Sequence, residues 1–245
     1  MKRIAFIPKM IVAVSALFLL NSCKYDFDFG PGLSGDGNVT TESRNNDTPF
    51  TAIEVSRGLE LEVEQSSEKS ITVIADKNLQ QHISTEINNG VLSITSDVNI
   101  DDATSKKIVV KLPAITSLQA SSAAVIIGKN TIKANDIGLS TSSAGEMKIS
   151  LEAENVSAES SSGSSMRLKG KTLKLDTNSS SGSTISAEEL LANDVICEAS
   201  SGSVIDVHPL VSLKAGASSG GNVSYHNEPK TISKETSSGG NVGKN

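Results

Sequence analysis

The 245-residue chain is long enough for one or two domains and carries a formal net charge of −6, from 22 basic and 28 acidic residues. This acidic balance argues against nucleic acid or anionic lipid as a partner. Aromatic residues make up 3% of the chain, and Tyr225 is the only one after Phe50. That scarcity counts against a conventional carbohydrate-binding platform of stacked rings.

Residues 1–22 have the features of a signal peptide: a basic start, an apolar run over residues 10–20, and Leu20-Asn21-Ser22-Cys23 at the end. The last four residues resemble a bacterial lipobox. The resemblance implies that Cys23 is diacylated, becomes the mature N-terminus and anchors the protein in the outer membrane of a Gram-negative bacterium. Cleavage would remove three positive charges and no acid, which changes the net charge from −6 to −9.

Residues 23–49 are predicted to form a lipid-anchored tether. The acids that follow Lys24 resemble the surface-export signal of some Gram-negative lipoproteins, which implies exposure at the cell surface. Residues 30–47 are rich in Gly, Ser, Asn and charge, a composition typical of a flexible linker. With Cys23 acylated, Cys197 has no disulfide partner, and its inward strand position predicts a buried, unreactive thiol.

Residues 50–113 are predicted to form an N-terminal β region. Apolar and polar residues alternate over Phe50–Val63, which indicates strands with one buried face. Asn88-Asn89-Gly90 lies between two further alternating runs, and Asn-Gly in that setting is the strongest short-range signal for a hairpin. The sequence therefore predicts an antiparallel pair in this region.

Residues 114–245 are organised by a recurring Ser-Ser-Gly tripeptide, in which the first two copies carry Ala as the third residue. The third residues follow one another at steps of 21, 19, 19, 20, 18 and 19, and they are Ala123, Ala144, Gly163, Gly182, Gly202, Gly220 and Gly239. An apolar side chain stands three residues after every copy. From the second copy on, another stands seven residues before it.

A period of about 19 residues predicts an all-β fold, a β-solenoid (β-helix) of short coils preceded by the antiparallel β region. Each coil would consist of a strand, a Ser-Ser-Gly corner, a second strand and a second corner. Because Ala tolerates positive φ poorly, the third position is predicted to select for small size and close backbone approach. The hydroxyl of the second serine is predicted to bond backbone groups that the corner leaves unpaired.

Several motifs together resemble the head GIN domain family over roughly Phe50–Val242. They are Phe50-x-x-Ile53-x-Val55, Ala75-Asp76-x-Asn78-Leu79, Asn89-Gly90-x-Leu92-x-Ile94, Val110-x-Leu112-Pro113 and the serial Ser-Ser-Gly turns. The resemblance implies a β-helical fold and a relation to autotransporter adhesins. No amphipathic β-barrel segment follows the repeats, so here the lipid anchor would replace self-transport.

Possible catalytic and metal-binding residues are few. Gly216-Ala217-Ser218-Ser219-Gly220 matches the G-x-S-x-G nucleophile pattern but falls on a repeat corner. The histidines are predicted at surface or corner positions, with no third ligand placed to join Asp206 and His208; they are His82, His208 and His226. Acids that could act on a polysaccharide do not recur at one repeat position, so they are not expected to line one face; they are Asp176, Glu188, Glu189, Asp194 and Asp206.

These observations favour a non-enzymatic, lipid-anchored envelope protein with no cofactor, metal or catalytic residues, and Cys23 as its one modified site. Its partners would be the membrane, through that anchor, and a surface ligand that is a glycan or a protein; nucleic acid is not expected. Two alternatives remain open: a solenoid enzyme acting on polysaccharides, and a periplasm-facing structural or sensory lipoprotein. Fold alone does not decide among them.

Overall fold

The computed structural model describes residues 32–44 and 47–245, so the predicted signal peptide and Cys23 lie outside the described residues. The N-terminal strands are β1 (Val39–Ser43), β2 (Ala52–Val55), β3 (Glu60–Gln65), β4 (Ser70–Asp76), β5 (Ile83–Asn88), β6 (Val91–Ser96), β7 (Lys106–Leu112) and β8 (Ser117–Ala120). The repeat strands are β9 (Val125–Thr141), β10 (Glu146–Ser160), β11 (Ser165–Ser179), β12 (Thr184–Ala199), β13 (Val204–Ala217), β14 (Asn222–Tyr225), β15 (Thr231–Thr236) and β16 (Asn241–Lys244). Within the described ranges, the helical structure is one 3-10 turn at Gln80–His82, and no helix could span a membrane.

The predicted β-solenoid is confirmed, with about seven coils of about 19 residues. Strands β9 to β13 each run from one Ser-Ser-Gly turn to the next and pair in parallel with the coil on either side, so that Met147 lies opposite both Ile126 and Met166. The second corner lies within each long strand. The pairing register shifts there in three of the four pairings between β9 and β13, for example between Arg167 and Lys169, but not between β10 and β11.

The core is a set of inward-facing columns with one residue from each coil. The residues three positions after the turns are buried from Ile126 through Val223, and those seven positions before the turns are buried from Ile137 through Leu213. Side chains alternate between inside and outside along a strand, so apolar residues two apart share the inner face. A single coil cannot bury this face, and stacking removes it from water.

The Ser-Ser-Gly corners are two-residue turns in which both central residues have positive φ. In the copy ending in Gly182, φ is 54° at Ser181 and 69° at Gly182, and the amide of Ser183 donates to the carbonyl of Ser180 over 3.3 Å. These are type I′ turns. The predicted selection for small size is wrong, because a Cβ on Gly182 would meet no heavy atom within 4 Å. The position selects for the left-handed conformation, which Ala123 and Ala144 also adopt.

Substitutions at Gly182 can separate the two explanations. We expect Gly182→Val to lower the free energy of unfolding by about 2 kcal/mol, because a β-branched residue is strained at positive φ. Gly182→Asn should be nearly neutral, since Asn tolerates this conformation. Urea denaturation of both variants measures the difference. An equal loss for Val and Asn would favour overpacking instead.

Coils are joined at the corner by main-chain hydrogen bonds. The prediction that the hydroxyl of the second serine forms these bonds is wrong. The Gly163 amide donates to the carbonyl of Ser181 in the next coil over 3.1 Å, and this pattern repeats along the stack. Buried hydroxyls at the corners belong instead to residues that flank the turn, such as Ser179 before it and Ser183 after it. Ser183 Oγ donates to the carbonyl of Ser160 over 2.7 Å and lies 2.8 Å from Ser179 Oγ. These bonds satisfy polar groups inside the corner.

The N-terminal region contains the predicted hairpin, β5–β6, with Asn89 and Gly90 at positive φ. It also holds a coil that the repeat did not reveal, because β2 pairs in parallel with β8, and β3 pairs in parallel with β9. Strands β2 and β3 are joined by an Arg57-Gly58 turn in which both residues have positive φ. The Gly58 amide donates to the Ser122 carbonyl over 2.9 Å. The parallel stack therefore starts before residue 114, where the sequence predicted it to begin.

Part of the predicted tether is ordered. Strand β1 pairs antiparallel with β4, and residues 32–245 form one compact unit. The buried Asp76 carboxylate accepts backbone amides from Gly37, Thr104 and Ser105 over 3.1–3.2 Å. Asn78 accepts the amide of Asp36 over 3.0 Å. The composition of residues 30–47 could not reveal these contacts, because the partners lie about 40 residues away along the chain.

Candidate functional site: the pre-turn face

Ser218, the serine of the G-x-S-x-G match, is the first residue of a type I′ turn between two strands. Its carbonyl accepts the Gly221 amide over 2.8 Å, and its own amide donates to the Ala199 carbonyl over 3.0 Å. A nucleophile elbow requires a strand-to-helix turn that exposes the serine beside a base. The local structure is instead that of six other corners.

The three histidines lie in two places, because the amide of His226 donates to the carbonyl of Val207 over 2.9 Å, next to His208. His82 Nδ1 is 2.9 Å from Asp97 Oδ1, beside the hairpin. His208 Nδ1 is 3.1 Å from the backbone oxygen of Glu188, and Asp206 is two residues away on the same strand. Burial, and then the Glu188 charge, raises the pKa of Asp206. Among the described residues, no group of three or more His, Cys, Asp or Glu side chains is arranged to hold a metal ion.

The five acids weighed as possible catalytic residues lie in different places. Asp176 and Asp194 face outward on the strand segments that precede the turns, in adjacent columns of one sheet face. The expectation that these acids share no face is therefore wrong for this pair. Glu189 lies at the second corner, where it forms an ion pair with Lys169 at 2.9 Å.

We call the outward surface of these segments the pre-turn face. Its outward positions form three columns with one residue from each coil, and neighbouring coils are about 4.8 Å apart. The columns are Asp136-Asn155-Lys174-Asp194-Ser212-Thr231, Gly138-Ser157-Asp176-Ile196-Lys214-Ser233 and Ser140-Glu159-Asn178-Glu198-Gly216-Glu235. Two shallow grooves of about 640 and 650 Å³ follow this face. Sequence reasoning missed Glu159, Glu198 and Glu235, although their constant offset of two residues before the first turn serine could have revealed them.

The charges on this face differ from those elsewhere on the solenoid. The outward surface of the segments after the turns and the second corner hold ion pairs such as Lys107–Glu62 at 3.1 Å and Lys171–Glu152 at 3.4 Å. The hydrogen bond from Lys107 lowers the pKa of Glu62 and, in return, raises that of Lys107. By contrast, the structure shows no ion pair at any charged side chain of the pre-turn face. These are Asp136, Glu159, Lys174, Asp176, Asp194, Glu198, Lys214 and Glu235.

Cys197 lies inside the solenoid beneath this face, and burial raises the pKa of its thiol to about 12. In protein with Cys23 replaced by serine, we expect Cys197 to resist an alkylating reagent at about pH 8, because the reactive thiolate is scarce and enclosed. Full modification should follow denaturation, as measured by intact mass. Stoichiometric modification of the folded protein would contradict a closed core.

The family comparison bears directly on this architecture. Residues 49–229 match the family model described as "Putative auto-transporter adhesin, head GIN domain". The chain belongs to the head GIN domain family. None of the curated proteins compared with this head GIN domain protein matches it.

Solved structures share the fold of this head GIN domain protein. A "putative adhesin" from Bacteroides fragilis NCTC 9343 superimposes with a TM-score of 0.80 at 16% identity, over 87% of this chain and 100% of the other. A "putative adhesin" from Parabacteroides merdae ATCC 43184 has a TM-score of 0.70 at 20% identity, over 87% and 98%. A "Putative lipid binding protein" from Parabacteroides distasonis ATCC 8503 has a TM-score of 0.70 at 20% identity, over 87% and 99%. At these identities the likeness shows the fold alone.

Proposed function

We propose that this protein is a non-enzymatic, lipid-anchored protein of the Gram-negative outer membrane, whose solenoid binds a ligand at the cell surface and promotes adhesion. The observation that carries the proposal is the pre-turn face, a polar surface repeated along successive coils with its charges unpaired. A partner can contact these charges without breaking an internal ion pair. Asp136 and Asp194 accept hydrogen bonds from the neutral side chains of Asn155 and Ser212, over 2.8 and 2.6 Å. The description of the family as auto-transporter adhesins supports an adhesive role.

The anchor is tested separately from adhesion. Cys23→Ala should abolish metabolic labelling by palmitate and leave uncleaved precursor, because acylation at this cysteine would precede cleavage. Proteolysis of intact cells should degrade the wild-type protein if it faces outward. Undiminished palmitate labelling of the variant would contradict anchoring at Cys23, and complete protection from protease would contradict surface exposure.

Adhesion is tested by deleting the gene and measuring attachment to host cells, to neighbouring bacteria and to immobilised glycans. We expect reduced attachment to at least one surface, restored by the wild-type gene. A complementing gene with Asp176→Asn, Asp194→Asn and Glu198→Gln should restore it less well. A control with Glu68→Gln, Asp102→Asn and Glu146→Gln removes three exposed carboxylates that lie outside the columns of this face, and it should restore attachment fully. Unchanged attachment across the panel would contradict the proposal.

A further inference from the structure

The exposed large apolar side chains are concentrated in one part of the described chain. Leu173 is 52% exposed, Ile196 46%, Leu191 43%, Val211 39% and Leu210 37%; the remaining large apolar residue so exposed is Val39 at 40%, on β1. Scattered apolar residues are normal on a surface, whereas a cluster indicates an interaction site.

Four of these residues border the pre-turn face along one edge. Leu173, Leu191 and Leu210 line a hollow of about 440 Å³ at the second corner. From there the chain passes directly onto the face, from Leu173 to Lys174 and from Val211 to Ser212. Ile196 lies within the face itself, in the same groove as Lys174 and Asp194. The apolar edge and the polar face are therefore one continuous surface.

This surface has a strong excess of negative charge. Its outward positions carry six carboxylates and two lysines, and none of these eight groups has an ion pair in the structure. The carboxylates of Glu159, Glu198 and Glu235 recur on alternate coils along the far side from the leucines. A partner must therefore supply positive charge opposite these carboxylates and apolar groups opposite the leucines.

We propose that this surface binds a cationic amphipathic polypeptide segment lying along the solenoid axis, which names a partner class for the binding function proposed above. Lysine or arginine side chains would contact the carboxylates, and leucine-like side chains would cover the corner hollow. Recognition proceeds through side chains, because the backbone of these strands is already paired within the sheet. A polyanion would be repelled, and an uncharged polysaccharide would leave the carboxylates uncompensated.

The test uses the lipid-free full-length mature chain with Cys23 replaced by serine, and three synthetic peptides of equal length. One peptide contains Leu and Lys, one contains Ser and Lys, and one contains Leu and Glu. Calorimetry at about 0.05 M salt should show binding of the Leu-Lys peptide, roughly tenfold weaker binding of the Ser-Lys peptide and none of the Leu-Glu peptide. Raising the salt to about 0.5 M should weaken Leu-Lys binding, since the charged groups are exposed.

Two sets of variants locate the site. Asp176→Asn with Asp194→Asn and Glu198→Gln should weaken binding of the Leu-Lys peptide roughly tenfold. Leu173→Ser with Leu191→Ser and Leu210→Ser should weaken it to a similar extent. The control variant with Glu68→Gln, Asp102→Asn and Glu146→Gln should bind as the wild type does, and melting curves establish that all three variants fold.

Equal binding of the Leu-Glu peptide, or binding that neither face variant weakens, would overturn the inference. Binding of a neutral polysaccharide to this face in place of the Leu-Lys peptide would also overturn it, while leaving the proposed adhesion intact. If the deletion strain loses attachment but the purified protein does not bind the Leu-Lys peptide, this inference alone fails. If the peptide binds and attachment is unchanged, the adhesive role fails instead.

Discussion

Gly170→Ala is expected to lower the free energy of unfolding by about 3–5 kcal/mol, because the site combines strain with a backbone collision. Gly170 has a φ of 115°, a conformation that side chains of L-residues rarely adopt. A Cβ there would collide with the carbonyl oxygen of Leu151 in the neighbouring coil. The residue lies at the second corner of β11, opposite Leu151 of β10 on one side and Leu190 of β12 on the other. Urea denaturation measures the loss.

Gly163→Ala is the matched control for this prediction. Gly163 also has positive φ, at 69°, but a Cβ on it would meet no heavy atom within 4 Å. Ala123 and Ala144 occupy the equivalent position in other coils, so the expected loss is about 1 kcal/mol. Similar losses at Gly163 and Gly170 would contradict the close approach of backbones at the second corner.

Asp76→Ala is expected to lower the free energy of unfolding by about 4 kcal/mol. Its buried carboxylate accepts the backbone amides of Gly37, Thr104 and Ser105 in partly buried hydrogen bonds, so removing it leaves three amides without this acceptor. Hydrogen exchange should accelerate most at these three amides and along β1, which the carboxylate helps to hold against β4. Denaturation and exchange mass spectrometry measure the two effects.

The control is Asp176→Ala, which removes an exposed carboxylate that forms no ion pair in the structure. Its expected effect is within about 0.5 kcal/mol of the wild type. A loss at Asp76 no larger than that at Asp176 would show that the hydrogen bonds to the Asp76 carboxylate contribute little to stability. Unchanged exchange at β1 would contradict its role in holding residues 32–44.

The period of the repeat was sufficient to predict the solenoid, its inward columns and the place of its turns. Each coil has the same local pattern, in which strand residues alternate between apolar and polar and a turn follows at a constant spacing. The hairpin at Asn89-Gly90 was predictable for the same reason, since both residues tolerate positive φ. The cause of the Gly preference at the turns was not predictable. Crowding and backbone conformation both favour Gly, and only the observed φ and empty surroundings separate them.

The candidate site was largely hidden from sequence reasoning. Asp176 and Asp194 were noted as acids, yet their place on one face became visible only when the coil register was known. Glu198 and Leu191 look ordinary in the sequence. Their interest comes from the absence of an ion pair for one and from the exposure of the other, and both depend on which coils are neighbours.

The sequence by itself therefore determined the all-β solenoid, its coil length and the inward columns, because these follow from local periodicity. Only the tertiary structure decided that β2 and β3 form a coil against β8 and β9, since β4 to β7 intervene in the chain and break the period. Tertiary structure also brought Asp76 to the amides of residues 37, 104 and 105. It likewise left the carboxylates of the pre-turn face without an ion pair, because neighbours across coils are set by stacking and not by spacing along the chain.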